Sequence, residues 1–312
     1  MELRKDYVLN QWVIISQRRG ERPKEFKEEK LPIVTKVCFF CPGNEHLTPP
    51  EIMRVGLAGD WRIRVFPNKF PFVQQEGYPV IQTHNNYYTF ASGWGEHEVV
   101  VETPDHERQL WDLSAEHIAD VLAVYTQRVR ALYQHEHVQY VSVFKNHGAK
   151  AGTSLIHTHT QIATTNLVPP RVADEMACSV RDGLCHYCRV LQSEPRSQRR
   201  CFENEHFCAF TPYASRFNYE IWIFSKAHKC RLADLNGTER MALAQIMQRV
   251  LLKLKELGVS YNFHLHEAPP GQDLHFHIEF SPRLATYGGF ELCTDIIINS
   301  VSPEEAASFF RS

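Results

Sequence analysis

Residues 145–163, KNHGAKAGTSLIHTHTQIA, bring three kinds of useful residue together. Gly148, Ala149, Ala151, Gly152, Thr153 and Ser154 are small, and a backbone free of bulk can approach a phosphate and present its N–H groups. His157 and His159 follow two apart, and Gln161 is two further on. Residues two apart in a strand share a face, so both imidazoles and the carboxamide would line one wall. The run IHTHTQIATT alternates and is rich in β-branched residues, which predicts a strand. A strand face of His, His and Gln is a poor core face and a good wall for a site. A neutral imidazole is nucleophilic near pH 7, and the phosphoramidate it forms with a phosphoryl group is labile enough to be passed on.

A second chemistry is metal ligation. Cys38-x-x-Cys41 runs into a Pro-Gly turn, the knuckle type that lets two thiolates face one ion, and Cys185-x-x-Cys188 repeats the spacing. The two halves of the chain read alike. Each has Cys-x-x-Cys, an apolar strand running to a His, a long helix, and a strand with His-x-His. The flanks ETPDHERQLWDLS and FSKAHKCRLADLN match as well, so two copies of one strand-and-helix unit are expected. Two Cys and two His make a tetrahedral zinc set. The repeat proposes Cys38, Cys41, His106 and His157 for one Zn2+ and Cys185, Cys188, His228 and His275 for another. Four protein ligands leave no open position, so both metals would be structural, and the first would aim the strand carrying His159. The other cysteines have no paired spacing and read as core or incidental.

The elements that must position these residues follow from periodicity. Residues 7–16 read as a strand or hairpin, 61–73 as a strand and turn, and 95–103 as a strand ending at Pro104. Ile118, Leu122, Tyr125, Val129 and Leu132 recur at helical spacing behind a Ser114 cap. Residues 138–146 form the strand that delivers the small-residue loop. NLVPPRVADE is a Pro-rich break, which predicts units of 1–168 and 169–312. In the second half, residues 221–228 and 273–283 read as strands, 261–271 as a strand and turn, and a helix beginning at Asn236 stops at Gly258. Ser302, Pro303 and Glu305 start a closing helix.

Composition bounds the reading. The 312 residues are 43% hydrophobic and 22% charged, which suits a globular protein of one large or two ordinary domains. A net charge of -2 gives no basic field for nucleic acid. No apolar run approaches membrane-spanning length, and the polar start MELRKDYVLN is no signal peptide. Nine Cys, an odd number, fit metal ligation or free thiols better than a disulfide framework, and a cytoplasmic location is expected.

The small-residue loop, Ser154 and His157-x-His159-x-Gln161 resemble the galactose-1-phosphate uridylyltransferase branch of the histidine-triad superfamily. The resemblance covers nearly the whole chain. It implies an α+β fold of two tandem histidine-triad-like units sharing a mostly antiparallel sheet with flanking helices. It implies His159 as the nucleophile that attacks the α-phosphorus of a nucleoside diphosphate sugar, and Gln161 as the partner of the phosphoryl oxygens. The first zinc set matches the family's site position by position. Arg19 and Arg22, in an R-x-x-R-P segment, resemble nucleotide contacts, and Asn68 sits where the family has an Asn near the nucleotide. Asn146, Gly152 and Ser154 align with phosphate contacts, and Lys150 would supply a charge where His147 replaces a frequent Lys. YGGFE resembles the segment whose Glu, here Glu291, contacts sugar hydroxyls from a neighbouring subunit, which implies a homodimer. A Gln that some members carry six residues later is Ile297 here.

Many members instead build a second metal site from a Glu and three His, matching Glu175, His266, His275 and His277. His275 cannot readily serve both sets, and paired thiolates favour the Cys-containing one. The expected activity is transfer of uridylyl from UDP-glucose to galactose 1-phosphate, giving glucose 1-phosphate and UDP-galactose. An ADP-glucose phosphorylase shares every motif. A zinc-binding module without catalysis is the alternative from another class, which the His159–Gln161 pair and the balanced charge disfavour.

Overall fold

A computed structural model describes residues 1–17, 37–57, 59–181 and 183–312, so Arg19 and Arg22 lie outside the described residues. Ten strands form one sheet: β1 (Met53–Leu57), β2 (Asp60–Pro67), β3 (His97–Val101), β4 (Tyr140–His147), β5 (His159–Thr165), β6 (Arg200–Glu203), β7 (Phe207–Phe210), β8 (Ile221–Ser225), β9 (Tyr261–His266) and β10 (His277–Pro282). Their spatial order is β6-β7-β8-β10-β9-β4-β5-β3-β2-β1, with every neighbouring pair antiparallel.

That order makes the repeat explicit. Read outward from the centre, β4-β5-β3-β2-β1 is mirrored by β9-β10-β8-β7-β6, and the halves join where His147 pairs with Tyr261 and Phe144 with His264. The sheet is continuous across the expected boundary at 168–169, which falls between β5 and a helix.

Among the described residues six α-helices accompany the sheet: α1 (Ala115–Leu132), α2 (Pro170–Ser179), α3 (His186–Ser193), α4 (Gly237–Leu257), α5 (Gly289–Thr294) and α6 (Pro303–Arg311). The Ser114 side chain accepts from His117 N at the start of α1, and Gly258 ends α4 in the left-handed conformation. Both long helices lie on one face of the sheet. Ile118, Leu122 and Val129 of α1 and Leu243, Met247 and Val250 of α4 join Ile162 and Ile278 of the sheet in the main core. The opposite face is left for the His-x-His residues.

Three sequence expectations shift. Residues 7–10 lie in the connection between strands Glu2–Lys5 and Trp12–Ile15, which pair with each other and, through the second, with Ile297–Asn299 near the C-terminus. The Pro-rich break starts a helix, because Pro170 at the first turn needs no backbone donor. His157 and His275 fall just before β5 and β10 rather than inside them. Among the described residues no helix is long and apolar enough to cross a membrane.

Candidate active site

The pocket lies over the first unit, with a volume of about 480 Å³. His159 and Gln161 of β5 form its floor, with Phe144 and Asn146 of β4, His97 and Val99 of β3 and Asn68 after β2. Gly152, Thr153 and Ser154 close one side, and Phe39, Phe40, Phe66, Phe70 and Phe72 supply apolar walls. The sequence-predicted His159, Gln161, Asn68, Asn146, Gly152 and Ser154 therefore converge on one cavity. A volume and lining of this kind suit a small organic ligand with a polar, phosphate-sized end.

Each polar group on the floor has a fixed orientation. His159 Nδ1–H donates to the His157 carbonyl at 2.8 Å, which leaves Nε2 as the unprotonated nitrogen. Burial and then the nearby Lys145 ammonium hold the His159 imidazole down at about 4, so it is neutral at pH 7. The Phe40 ring meets it edge-on at 5.3 Å. The small-residue loop makes a short turn at Ala149–Ala151 between two positive-φ glycines, Gly148 and Gly152. A Cβ at Gly148 would sit 2.2 Å from Ser260 Oγ, so the loop is pressed onto the second unit there. Asn262 of β9 donates to Asn146 Oδ1 at 2.8 Å and to the Ala151 carbonyl at 2.9 Å, tying loop and floor together.

His97 is the floor residue that sequence reading missed. Its Nε2 is 2.8 Å from Gln161 Oε1, and burial pushes its imidazole below the usual range, against the pull of Gln161. A proton on Nε2 donated to Oε1 leaves the Gln161 amide N–H groups free. Asn68 Nδ2 approaches the same Oε1 at 3.4 Å, while Asn68 Oδ1 accepts from Phe70 N at 2.9 Å. Asn68 is thus both a turn residue and a floor residue. The signal for His97 was a polar residue at the head of a strand, on the same face as Val99 and Val101; nothing local said that this face was the open one.

The residues that the repeat proposed as metal ligands come together in two groups. Cys38 Sγ lies 3.5 Å and Cys41 Sγ 3.6 Å from His157 Nδ1, and Cys41 Sγ lies 3.4 Å from His106 Nδ1. In the second unit Cys188 Sγ is 3.2 Å from His228 Nδ1 and 3.4 Å from His275 Nδ1, and Cys185 Sγ is 3.9 Å from His275. Ligand atoms around one tetrahedral zinc sit about 3.4–3.8 Å apart, so both quartets fit a metal ion. Burial, with the second thiol alongside, pushes Cys41 up to about 11 and Cys188 up to about 12, so a pair of thiolates here needs a cation. The outer ring nitrogens are held too. His157 Nε2 meets the Thr103 carbonyl at 2.8 Å, His275 Nε2 the Ser225 carbonyl at 2.7 Å, and His228 Nε2 Asp273 Oδ1 at 2.7 Å. Glu175, His266 and His277 form a separate buried group that could hold an ion, so His275 sides with the cysteines.

Glu291 is on helix α5. It is buried, accepts from Gly288 N at 2.9 Å, and does not line the pocket of its own chain.

Residues 1–169 match the galactose-1-phosphate uridyl transferase N-terminal domain, and residues 95–309 a domain family of unknown function. The chain is 33% identical to the ADP-glucose phosphorylase of Arabidopsis thaliana, over 99% of this chain and 92% of that protein. It is 30% identical to the galactose-1-phosphate uridylyltransferase of Thermotoga maritima, over 100% and 98%. The crystal structure of the Arabidopsis phosphorylase with bound ADP-glucose superposes with a TM-score of 0.86 at 31% identity, covering 100% of this chain and 98% of that one.

Proposed function

The chain belongs to the galactose-1-phosphate uridylyltransferase family, and from that premise we propose a ping-pong nucleotidyl transfer through His159. The observation that carries it is the fixed tautomer: Nδ1–H is committed to the His157 carbonyl, and Nε2 is the free nucleophile on a pocket floor.

In this reading the sugar nucleotide lies along the pocket with its base against the phenylalanine walls. Ser154 and the Gly152 backbone hold the diphosphate together with Asn146, and the Gln161 amide, turned by His97, donates to the phosphoryl oxygens. His159 Nε2 attacks the α-phosphorus. The P–N bond forms, the bond to the β-phosphate bridging oxygen breaks, and glucose 1-phosphate leaves with the electron pair. A phosphate oxygen of galactose 1-phosphate then attacks the same phosphorus, and the P–N electrons return to the imidazole. The leaving groups are phosphates, so the residues present do mainly positioning and charge stabilisation.

Zinc in both Cys₂His₂ quartets would be structural, the first anchoring His157 and hence the carbonyl that orients His159. Glu291 is assigned to the sugar end of a second copy's pocket, since it does not line its own. The enzyme is then a homodimer, and sedimentation should report twice the chain mass.

The donor pair is UDP-glucose with galactose 1-phosphate. Adenylyl transfer from ADP-glucose to phosphate is the second reading, favoured by the 33% identity to the Arabidopsis phosphorylase. Intact mass after mixing with each sugar nucleotide, without acceptor, separates them. A uridylyl adduct lost in His159→Ala and discharged by galactose 1-phosphate supports the first. An adenylyl adduct discharged by phosphate transfers the assignment to the second. No adduct with either rejects the covalent mechanism.

A further inference from the structure

Behind the pocket floor lies a buried ion pair. Lys145 Nζ donates to Glu102 Oε2 at 2.6 Å, to Thr158 Oγ1 at 2.9 Å and to the backbone carbonyl of His159 at 2.8 Å. Glu102 also accepts from the hydroxyls of Thr158 at 2.5 Å and Thr160 at 2.6 Å, and the Tyr125 hydroxyl of α1 lies 3.0 Å from it. Lys145 is 1% exposed and Glu102 fully buried.

Such a pair is a poor source of stability, because the desolvation of two charges offsets their attraction and an apolar replacement is often as stable or more so. The chain contains an uncharged version of this arrangement, in which Ser225 takes the place of Glu102. Gln161 pairs with Phe144 as Glu279 pairs with His264, so Leu265, Phe276 and Ile278 stand where Lys145, Thr158 and Thr160 stand in the first unit. All three are buried in the main core. Both units fold on the same strand plan, and only the one with an open pocket carries the charges.

We infer that Lys145, held by Glu102, is a positioning residue for nucleotidyl transfer. It clamps the carbonyl of His159 from behind and fixes Thr158. His157, two residues back, supplies the carbonyl that His159 Nδ1–H donates to, and is itself held by Thr103, the neighbour of Glu102. Slack in this backbone would swing Nε2 away from the phosphorus, and a misplacement of about 1 Å can cost about a hundredfold in rate. The inference rests on the nucleotidyl-His159 reading given above.

The test uses the full, metal-loaded chain with the charge-free pair Lys145→Met/Glu102→Gln. Five quantities are read: Tm, bound zinc, nucleotide-sugar Kd, the single-turnover rate of adduct formation, and amide hydrogen exchange over residues 157–161. The expectation is an unchanged or higher Tm, unchanged zinc and a Kd within about threefold. Adduct formation should slow by about ten- to a hundredfold, and exchange at 157–161 should rise at least about tenfold. A variant that unfolds or melts earlier shows the pair to be a stability element and overturns the inference. So does slower transfer with unchanged exchange, or faster exchange with unchanged transfer. A wild-type chain that forms no adduct rejects the functional reading instead, and unchanged exchange at 157–161 in the variant then rejects the clamp on its own.

Discussion

The two halves place the same strand plan in opposite circumstances. In the first, His159, Gln161, Asn146 and Phe144 face an open pocket. In the second, the register puts His277, Glu279, His266 and His264 at those places, all but His264 fully or nearly buried. Trp222 and Phe224 replace Val99 and Val101 beside them. Phe224 stacks on His277 at 4.3 Å, and Tyr187 of α3 packs against it at 5.2 Å, so large aromatics take the space that valines leave free. Charge is closed off as well. Glu279 is bound by Arg171 at 3.0 Å and Arg216 at 2.7 Å. Burial opposes charge on His266, but the Glu175 and Glu279 carboxylates outweigh it and hold the imidazole up at about 9. An imidazole two residues from a candidate metal ligand is therefore not sufficient for a nucleotide pocket; it must also have an empty, uncommitted face.

The strongest way to break this comparison is to remove each histidine in turn. His159→Ala should lower adduct formation by roughly 10⁴-fold or more, whereas folded His277→Ala should stay within about tenfold of the parent in the same mass assay. Equal losses would erase the distinction between the halves.

Importing the second half's carboxylate comes next. Gln161→Glu puts a negative charge beside the phosphoryl oxygens and replaces an N–H donor by an acceptor. Single-turnover adduct formation should fall by roughly 10²–10³-fold, with folding and zinc content retained.

The metal quartets sharpen the contrast. Elemental analysis should find two zinc ions per chain, one lost in Cys38→Ser/Cys41→Ser and the other in Cys185→Ser/Cys188→Ser. Both doubles should melt earlier. The first should also lose about ten- to a hundredfold in adduct formation per folded molecule, because His157 carries the carbonyl that orients His159, while the second should lose less than about fivefold.

The smallest expected effect concerns the seam. Glu267 follows His266 as His147 follows Asn146, and each unit buries its titratable group there. Burial raises Glu267 to about 7, with the Leu232 N–H as partner to one oxygen and, among the described residues, none for the other. Burial and then Lys145 lower His147 to about 4, and its ring stacks on Tyr261 at 4.9 Å. Both neutral forms are favoured in the fold, so the pH signs are opposite. The Glu267 contribution is complete below about pH 4.5 and lost as pH rises toward 7, and that of His147 is complete above about pH 6.5 and lost as pH falls toward 4. Urea titrations should show Glu267→Gln flattening the fall in stability between pH 5 and 7, and His147→Gln the fall between pH 6 and 4. Each is expected to be on the order of 1–3 kcal/mol.

Much of this molecule is local in origin. Period-two spacing puts His157, His159 and Gln161 on a common line, and Cys-x-x-Cys repeated with a distant His and a His-x-His marks both candidate metal quartets and the doubled strand plan. These are covalent spacings, so the linear chain contains them. Other features depend on which segments meet. His97 becomes a floor residue only because β3 lies against β5, and Glu291 is withdrawn from its own pocket because α5 folds it onto Gly288. Lys145 reads as one more polar residue near the end of a strand until Glu102, Thr158 and the His159 carbonyl close around it. Above all, nothing in the spacing of His-x-His tells an open face from a filled one. That was decided by the volume of the side chains on the neighbouring strand and of those that α3 lays across it, a property of the packed sheet rather than of either motif.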